Sequence, residues 1–299
     1  MSGQLKEVRE RIKSVKSTQQ ITKAMKMVSA AKLRRAQQSI VQMRPYAERL
    51  NNILINILTN LEGDADTVFG VERPVEKACI VVVTSNKGLC GAFNNNIIKE
   101  ARQKIEQDYS ELYDAGHLTI VPIGKKAYES FRKTHKKANI LSDYVFLFND
   151  LSFDQADLAA QKVMDSFQAG DFDEVYICYG RFKNAALQFA EKVQYLPVKK
   201  LEKPITGGRR ASRADYIFEP GKNELLDQLI PTILRTTFYR FLLDTHASEH
   251  GARMTAMDNA TENAEELLNE LKINYNKARQ EAITKELSEI VGGAAALQG

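Results

Sequence analysis

Apolar side chains recur every three or four residues at both ends of the chain. At the N-terminal end the repeat passes through Leu5, Val8, Ile12, Val15, Ile21, Ala24, Met25, Val28 and Ala31. At the C-terminal end it passes through Met257, Ala260, Ala264, Leu267, Leu268, Leu271, Tyr275, Ala278 and Ala282. This spacing places the apolar residues on one helix face, as in the seam of a coiled coil. The pattern predicts one helix over residues 2–61 and another over residues 223–291.

The C-terminal helix is too long for a small domain to bury. At 1.5 Å per residue it would extend for roughly 100 Å, far beyond an ordinary globular helix. Gly292 and Gly293 are predicted to end it, and Pro45 is predicted to kink or interrupt the N-terminal helix. Because such a helix needs a partner along its length, the two terminal helices are predicted to pair antiparallel.

Between the terminal helices the apolar pattern changes to that of an α/β domain. Residues 78–83 form a continuous, mostly β-branched apolar run, which is typical of a parallel strand covered on both faces. Further strands are predicted at 117–123, 174–179 and 187–195, with an edge strand at 144–148. Helices alternate with these strands, and Asn94 and Ser152 are the expected N-caps of two of them. The alternation predicts a mostly parallel sheet.

The fold class predicted is therefore α/β, with a long antiparallel coiled coil and an inserted Rossmann-like domain. The predicted boundaries are 1–61 for the N-terminal coiled-coil helix, 75–200 for the α/β domain and 222–299 for the C-terminal helix. A basic, glycine-containing loop is expected at 204–215.

Composition and charge support this arrangement. The chain is 43% hydrophobic and 27% charged, as expected for a folded protein. The net charge is +4 overall, but residues 1–50 carry a net +9 and residues 222–299 a net −4, which favours pairing of the two ends. No apolar run is long enough to span a membrane, and the three cysteines form no CxxC pair. A soluble intracellular protein, or one peripheral to a membrane, is expected.

Three motifs suggest chemistry, but each has a simpler structural interpretation. Cys90, in the turn after the first strand, has no His or Asp nearby in sequence that would activate it as a nucleophile. His246 and His250 match the HxxEH zinc-protease motif, but two exposed histidines on a long helix are the expected arrangement. The basic N-terminal helix could bind nucleic acid, although it lacks interleaved aromatic residues.

Four longer stretches together resemble one family, the gamma subunits of rotary F-type ATP synthases of the bacterial type. They are Arg11–Ala30, Asn86–Asn94, Ser248–Ala264 and Tyr275–Val291. Two positions depart from the usual pattern of that family, which has an acid where Asn86 stands and an alanine where Gly251 stands. A glycine inside a helix costs up to about 1 kcal/mol relative to alanine.

The resemblance implies a non-catalytic central-stalk rotor that turns inside a hexamer of alpha and beta subunits and couples proton flow to ATP synthesis. It also implies no cofactor and no metal, no nucleotide in the α/β domain, and a peripheral location on the cytoplasmic face of the bacterial inner membrane. The implied contacts to alpha and beta are Met25, Lys26, Arg253, Arg279, Gln280, Thr284, Glu286, Ile290, Val291 and Leu297. The implied contacts to the epsilon subunit and the membrane c-ring are Arg34, Arg35, Met43, Lys203, Arg209 and Arg210.

Two other classes of function stay open from the residues alone. A Rossmann-type enzyme with helical extensions would bind a nucleotide or another cofactor tightly. A basic coiled-coil adaptor for nucleic acid would bind duplex with a strong dependence on salt.

Overall fold

The computed structural model describes residues 2–59, 68–198 and 221–298. The chain forms two compact units. The terminal unit comprises Met1–Ala30 and Arg253–Gly299, and the inner unit comprises Ala31–Ala252. Two long helices, α1 (Ser2–Thr59) and α6 (Lys222–Gln298), each contribute to both units.

In the terminal unit α1 and α6 run antiparallel. Three pairs of side chains set the register. Arg9 Nη2 donates to Tyr275 Oη over 2.9 Å, Thr22 Oγ1 lies 2.8 Å from Thr261 Oγ1, and Lys26 pairs with Asp258. In these pairs the residue number increases along α1 while that of its partner decreases along α6. This confirms the predicted antiparallel coiled coil. Its buried seam includes Thr22, Ser29, Met257, Ala264, Leu268 and Leu271.

The inner unit contains a five-stranded sheet with the strand order β3-β2-β1-β4-β5. Its strands are β1 (Ala78–Val83), β2 (Leu118–Ile123), β3 (Asn139–Ile140), β4 (Glu174–Phe182) and β5 (Gln188–Leu196). The first four strands are parallel and β5 is antiparallel to β4. The connecting helices are α2 (Phe93–Asp108), α3 (Ser110–Asp114), α4 (Lys125–Thr134) and α5 (Phe153–Gln168). The mostly parallel sheet agrees with the alternation of strands and helices in the sequence.

Two hydrophobic cores cover the two faces of the sheet. Alternate residues of β1, such as Val81, face a core that includes Phe167 of α5 and Phe238 of α6. The residues between them, such as Ile80, face a second core that includes α2 and Phe131 of α4. Every residue of β1 and β2 is buried. This two-sided burial explains why the two strands read as continuous apolar runs rather than as alternating ones.

One prediction about the terminal helices is wrong, and one of the two outcomes predicted for Pro45 is excluded. Gly292 and Gly293 do not end α6, which continues to Gln298. Each glycine costs only about 1 kcal/mol in a helix, and the alanines at 294–296 are strong helix formers. Pro45 does not interrupt α1, which continues to Thr59. A proline removes one backbone hydrogen bond, whereas the other turns of the helix keep theirs.

Two predictions in the α/β domain are also wrong. Asn94 does not cap α2, because the helix begins at Phe93 and the Asn94 side chain is buried and bonded to Ser85. Residues 144–148 do not form an edge strand. They form a turn followed by a short 3₁₀ helix at Leu147–Asn149, and the edge strand beside β2 is β3. The Val145 carbonyl instead accepts a hydrogen bond from the Gly124 amide, which closes the turn after β2. Ser152 caps α5 as predicted, accepting from the Gln155 amide.

Candidate partner-binding surfaces

The coiled coil carries the first group of predicted contact residues. Met25 and Lys26 are half-buried on α1, and Lys26 is held by Asp258. Arg253, at the start of the α6 segment of the terminal unit, is only 7% exposed. The side chains in this part of the chain are therefore largely committed to contacts within the protein, and Met25 and Lys26 keep part of their surface open.

The C-terminal segment of α6 carries the second group. The register that puts Arg9 beside Tyr275 places the start of α1, at Ser2, opposite about residue 282. The part of α6 from 283 onward therefore has no α1 residue opposite it among those described. The predicted contact residues in and just before this segment are all exposed: Arg279, Gln280, Thr284, Glu286, Ile290 and Val291. Leu297 lies in α6, but its side chain is outside the described ones.

The same segment holds two apolar residues that were not among the predicted contacts. Ile283 and Leu287 are exposed, as are Ile290 and Val291. The four are spaced by four, three and one residues, so they form one stripe along the helix. That spacing is visible in the sequence and could have identified both positions. An exposed apolar stripe on a long helix is a typical interaction surface.

The predicted contacts on the inner unit are only partly described. Arg34 and Arg35 are exposed on α1, and Met43 is partly buried. Lys203, Arg209 and Arg210, with the whole loop at 204–215, lie outside the described residues. Val41 and Tyr46, which were not predicted, are exposed on the same helix. This part of α1 therefore presents basic, aliphatic and aromatic side chains to the surroundings.

The turn after β1 does not place Cys90 in a catalytic arrangement. Cys90 is 1% exposed, and its Sγ accepts from Asn94 Nδ2 over 3.1 Å. Asn94 also accepts from the Ser85 amide over 2.9 Å. A buried thiol bonded to an amide and close to a hydroxyl is typical of a structural turn, because a nucleophilic cysteine needs a charged or basic neighbour.

The crevice that binds nucleotides in many α/β proteins is filled by the chain itself. In this sheet the strand order reverses between β1 and β4, which is where such ligands bind. Here a Cβ atom on Gly180 of β4 would lie 2.7 Å from the Phe93 ring. The Gly180 amide also donates to Thr245 Oγ1 over 3.2 Å, and its carbonyl accepts from Ser248 Oγ over 3.0 Å. Helix α6 therefore occupies the position that a dinucleotide would need.

The two histidines of the HxxEH motif are not both exposed, so that expectation is wrong. His250 is 5% exposed, and its Nε2 lies 3.1 Å from Nε2 of His246. Phe148 stacks on the His246 ring at 5.9 Å between centroids. This part of α6 is packed within the inner unit, which the helical periodicity alone did not reveal. Within the described part of the chain, no group of three or more His, Cys, Asp or Glu side chains could hold a metal ion.

One buried carboxyl group in the inner unit has a strongly shifted pKa. Burial raises the pKa of Asp244 to about 6, and Arg240, Arg181 and Arg44 oppose that rise. A carboxyl group that titrates near neutral pH can mark a catalytic site. Three arginines around it instead indicate a structural cluster of charges, in which the carboxylate balances nearby cations.

The structure thus defines a class of protein whose two chain ends form a coiled coil and whose middle forms an α/β domain. Comparison with known proteins identifies the family. The family described as ATP synthase matches residues 4–297. The ATP synthase gamma chain of Cytophaga hutchinsonii is 54% identical over 98% of this chain and 98% of its own length. The ATP synthase gamma chain of Flavobacterium psychrophilum is 48% identical over 99% of each chain.

A solved structure of the Euglena gracilis mitochondrial ATP synthase contains a similar chain. The two share 26% identity with a TM-score of 0.69, over 99% of this chain and 95% of that one. The protein belongs to the family of ATP synthase gamma chains. The resemblance found in the four sequence stretches is therefore confirmed over nearly the whole length. None of the described helices has the length and apolarity that a bilayer-spanning segment needs.

Proposed function

We propose that this protein is the central-stalk rotor subunit of a proton-translocating ATP synthase. In this proposal it turns inside the hexamer of alpha and beta subunits and couples proton flow through the membrane ring to ATP synthesis and hydrolysis on beta. Membership of the gamma-chain family supports this role. The observation that carries it furthest is the antiparallel coiled coil, whose α6 segment continues past the start of α1 with an exposed apolar stripe.

The physical argument concerns symmetry. Three identical catalytic sites in a ring are equivalent until something asymmetric touches them. Two paired helices present different side chains in different directions, so they contact each beta subunit differently. Each beta subunit is then biased towards a different nucleotide-binding state. The size of this bias equals the difference in the free energy of its contacts with the helices between the two states. Rotation exchanges these states in order.

The proposed contacts follow the positions of the residues along the two helices. Met25, Lys26 and Arg253 contact beta, where basic side chains meet acidic ones. Arg279, Gln280, Thr284 and Glu286 contact a beta loop further along α6. Ile290, Val291 and Leu297 turn within an apolar bearing formed by the hexamer. To these we add Ile283 and Leu287, because they lie on the same exposed stripe. Arg34, Arg35 and Met43, together with Lys203, Arg209 and Arg210, face the epsilon subunit and the c-ring.

The protein acts without catalytic groups or a cofactor of its own, and catalysis belongs to beta. The filled crevice at Gly180 supports this part of the proposal against a Rossmann-type enzyme.

The protein is peripheral, on the cytoplasmic face of the bacterial inner membrane, and reaches the membrane only through the complex. Apolar and small side chains on the C-terminal segment suit rotation, because they make few directional bonds that would hold one orientation.

The test is purification of the complex from membranes through a tag on this protein. Alpha and beta subunits are expected to co-purify, and the complex is expected to hydrolyse ATP. A matched preparation of this protein alone is expected to show no hydrolysis. Hydrolysis by the protein alone, or purification without alpha and beta, would contradict the proposal.

A further inference from the structure

The inner unit contains a cavity that the proposed rotor function does not use. It lies between α2 and α4, next to the turn that follows β1, and has a volume of about 490 Å³. Small-molecule sites in proteins commonly have volumes of about 300–1,000 Å³. The cavity is therefore large enough for a small metabolite.

The lining of this cavity is strongly basic. Among the described residues that line it, four are cationic and one, Glu129, is acidic. The cationic residues are Lys99, Arg102, Lys126 and Lys133. Lys126 Nζ lies 3.0 Å from Glu129 Oε2, so this carboxylate is already balanced. Lys99 and Lys133 are exposed, one on α2 and the other on α4. The cavity therefore keeps an excess of positive charge, which attracts an anion.

Arg102 is held in place at the wall of the cavity. Its Nη2 donates to Ser130 Oγ over 2.9 Å, which ties α2 to α4. Its Nε is buried and has no hydrogen-bond partner among the described residues. The burial of this N–H keeps it out of reach of a ligand in the cavity. An anion in the cavity would instead be held by the outer N–H groups of the guanidinium group, a common way for arginine to bind phosphate.

The turn beside the cavity has an unusual backbone. Leu89 has a φ of 62° and is 66% exposed, although a non-glycine residue rarely adopts positive φ. Such residues cluster at binding sites, where the surrounding structure maintains them. Leu89 and Ile98 add apolar surface to the lining beside its basic residues. The lining is thus amphipathic, with one part suited to an anion and another suited to an organic group.

We propose that this cavity binds a small organic phosphate, with the phosphate held by Arg102, Lys99 and Lys133 and the organic group against Leu89 and Ile98. The cavity lies at the carboxyl ends of β1 and β2, the edge where parallel sheets usually bind ligands. It is separate from the crevice between β1 and β4 that Phe93 and α6 fill. The proposal departs from the expectation that the α/β domain binds no nucleotide.

The test measures binding to the full-length protein by isothermal titration calorimetry, with AMP, inorganic phosphate and adenosine as probes. AMP is expected to bind saturably and more tightly than inorganic phosphate, and adenosine is expected not to bind. The double variant Lys99→Glu/Lys133→Glu is expected to weaken AMP binding by at least about tenfold, because two attractive charges become repulsive. Both positions are exposed, so the fold is expected to tolerate the changes.

The matched control is Lys162→Glu/Lys183→Glu, which changes the charge equally at two exposed positions outside the cavity. It is expected to bind AMP as the unchanged protein does. Absence of saturable AMP binding, or an equal loss in the control, would overturn the site. Equal affinity for AMP and inorganic phosphate would overturn the assignment of an organic phosphate.

Discussion

At position 251 the side chain is limited by the neighbouring hairpin. A Cβ atom there would lie 3.1 Å from Gln188 Nε2 and 3.2 Å from the Ala185 carbonyl oxygen. Gln188 cannot easily move away, because its Nε2 donates to the Ala185 carbonyl over 2.7 Å. The glycine therefore allows α6 to approach the turn between β4 and β5. The cost of a glycine in the helix is offset by this packing.

The change Gly251→Ala is expected to lower the free energy of unfolding by about 1 kcal/mol. Alanine contributes up to about 1 kcal/mol through helix propensity, but overpacking costs about 1–3 kcal/mol. Denaturant unfolding of the full-length protein measures the difference. The control is Gly292→Ala, since a Cβ atom there meets nothing within 4 Å. It is expected not to destabilise the protein. A gain in stability for Gly251→Ala would contradict the argument.

Asn86 is a second residue whose identity the structure explains. Its Nδ2 donates to Asn149 Oδ1 over 2.9 Å, and its Oδ1 accepts from the Lys125 amide over 3.1 Å. The side chain thus joins the turn after β1 to the start of α4 and to the short 3₁₀ helix. An ionised aspartate could also accept from the Lys125 amide, but it could bond to Asn149 only if that side chain turned its Nδ2 towards it. The two hydrogen bonds made here account for an amide at position 86.

At the scale of the elements, the coiled coil depends on apolar and small residues more than on its charges. Thr22 and Ser29 are buried in the seam with Met257 and Ala264, so the two helices approach closely. Lys26 and Asp258 form an ion pair in which both side chains keep about 40% of their exposure. An ion pair as exposed as this one contributes only about 0–1 kcal/mol, and salt screens it. The pair fixes register more than it adds stability.

The change Asp258→Asn is therefore expected to lower stability by less than about 1 kcal/mol, and this loss is expected to shrink further with added salt. Thermal unfolding followed by circular dichroism, at about 0.05 M and about 1 M salt, measures both effects. The control Glu262→Gln removes a charge from an exposed position on the same helix. A loss that persists undiminished at high salt would show that Asp258 supports the helix pair by something other than charge.

At the scale of the whole molecule, the proposed rotor works through differences between its contacts in different orientations. A contact that becomes too strong in one orientation slows the exchange of states as much as a missing contact does. Met25 lies half-buried on α1 next to Lys26, within the surface proposed to face beta. In the proposed contact surface, a further positive charge there pairs with an acidic beta residue in one rotational state and stabilises that state too much.

The change Met25→Lys is expected to impair coupling more than assembly. The protons pumped per ATP hydrolysed are expected to fall at least about fivefold, which corresponds to about 1 kcal/mol of altered coupling. Pumping and hydrolysis are measured together in inverted membrane vesicles, and assembly is measured by the amount of alpha and beta retained. Met27→Lys, an identical change at a more exposed position of α1, is the control. Unchanged pumping per ATP in Met25→Lys would count against the proposed contact surface.

Much of this architecture could be predicted from the sequence because it depends on local periodicity. The spacing of Leu268 and Leu271 identifies a helix seam, and the run at 78–83 identifies a buried strand, without any knowledge of distant residues. The long stretches that resemble gamma subunits of F-type ATP synthases indicated the function. The apolar stripe at Ile283 and Leu287 was equally visible, but it was not included among the contacts.

Several of the errors arose where a distant residue changes the local preference. Asn94 has the chemistry of a helix cap, yet the tertiary structure uses it to hold Ser85 and Cys90. Residues 144–148 form a continuous apolar run, as a buried strand would, yet they close the turn at Gly124. His250 is polar on a long helix, yet it is buried. No local pattern in the sequence contains these contacts.

The sequence by itself determined the two terminal helices, the parallel strands and the family, because side-chain spacing and backbone propensity act over a few residues. Only the tertiary structure decided which surfaces remain open. In the described part of the chain, α6 fills the crevice beside Gly180, a basic cavity lies between α2 and α4, and no α1 residue lies opposite α6 from about residue 283 onward. These outcomes depend on residues far apart in sequence packing at the same place, which periodicity does not record.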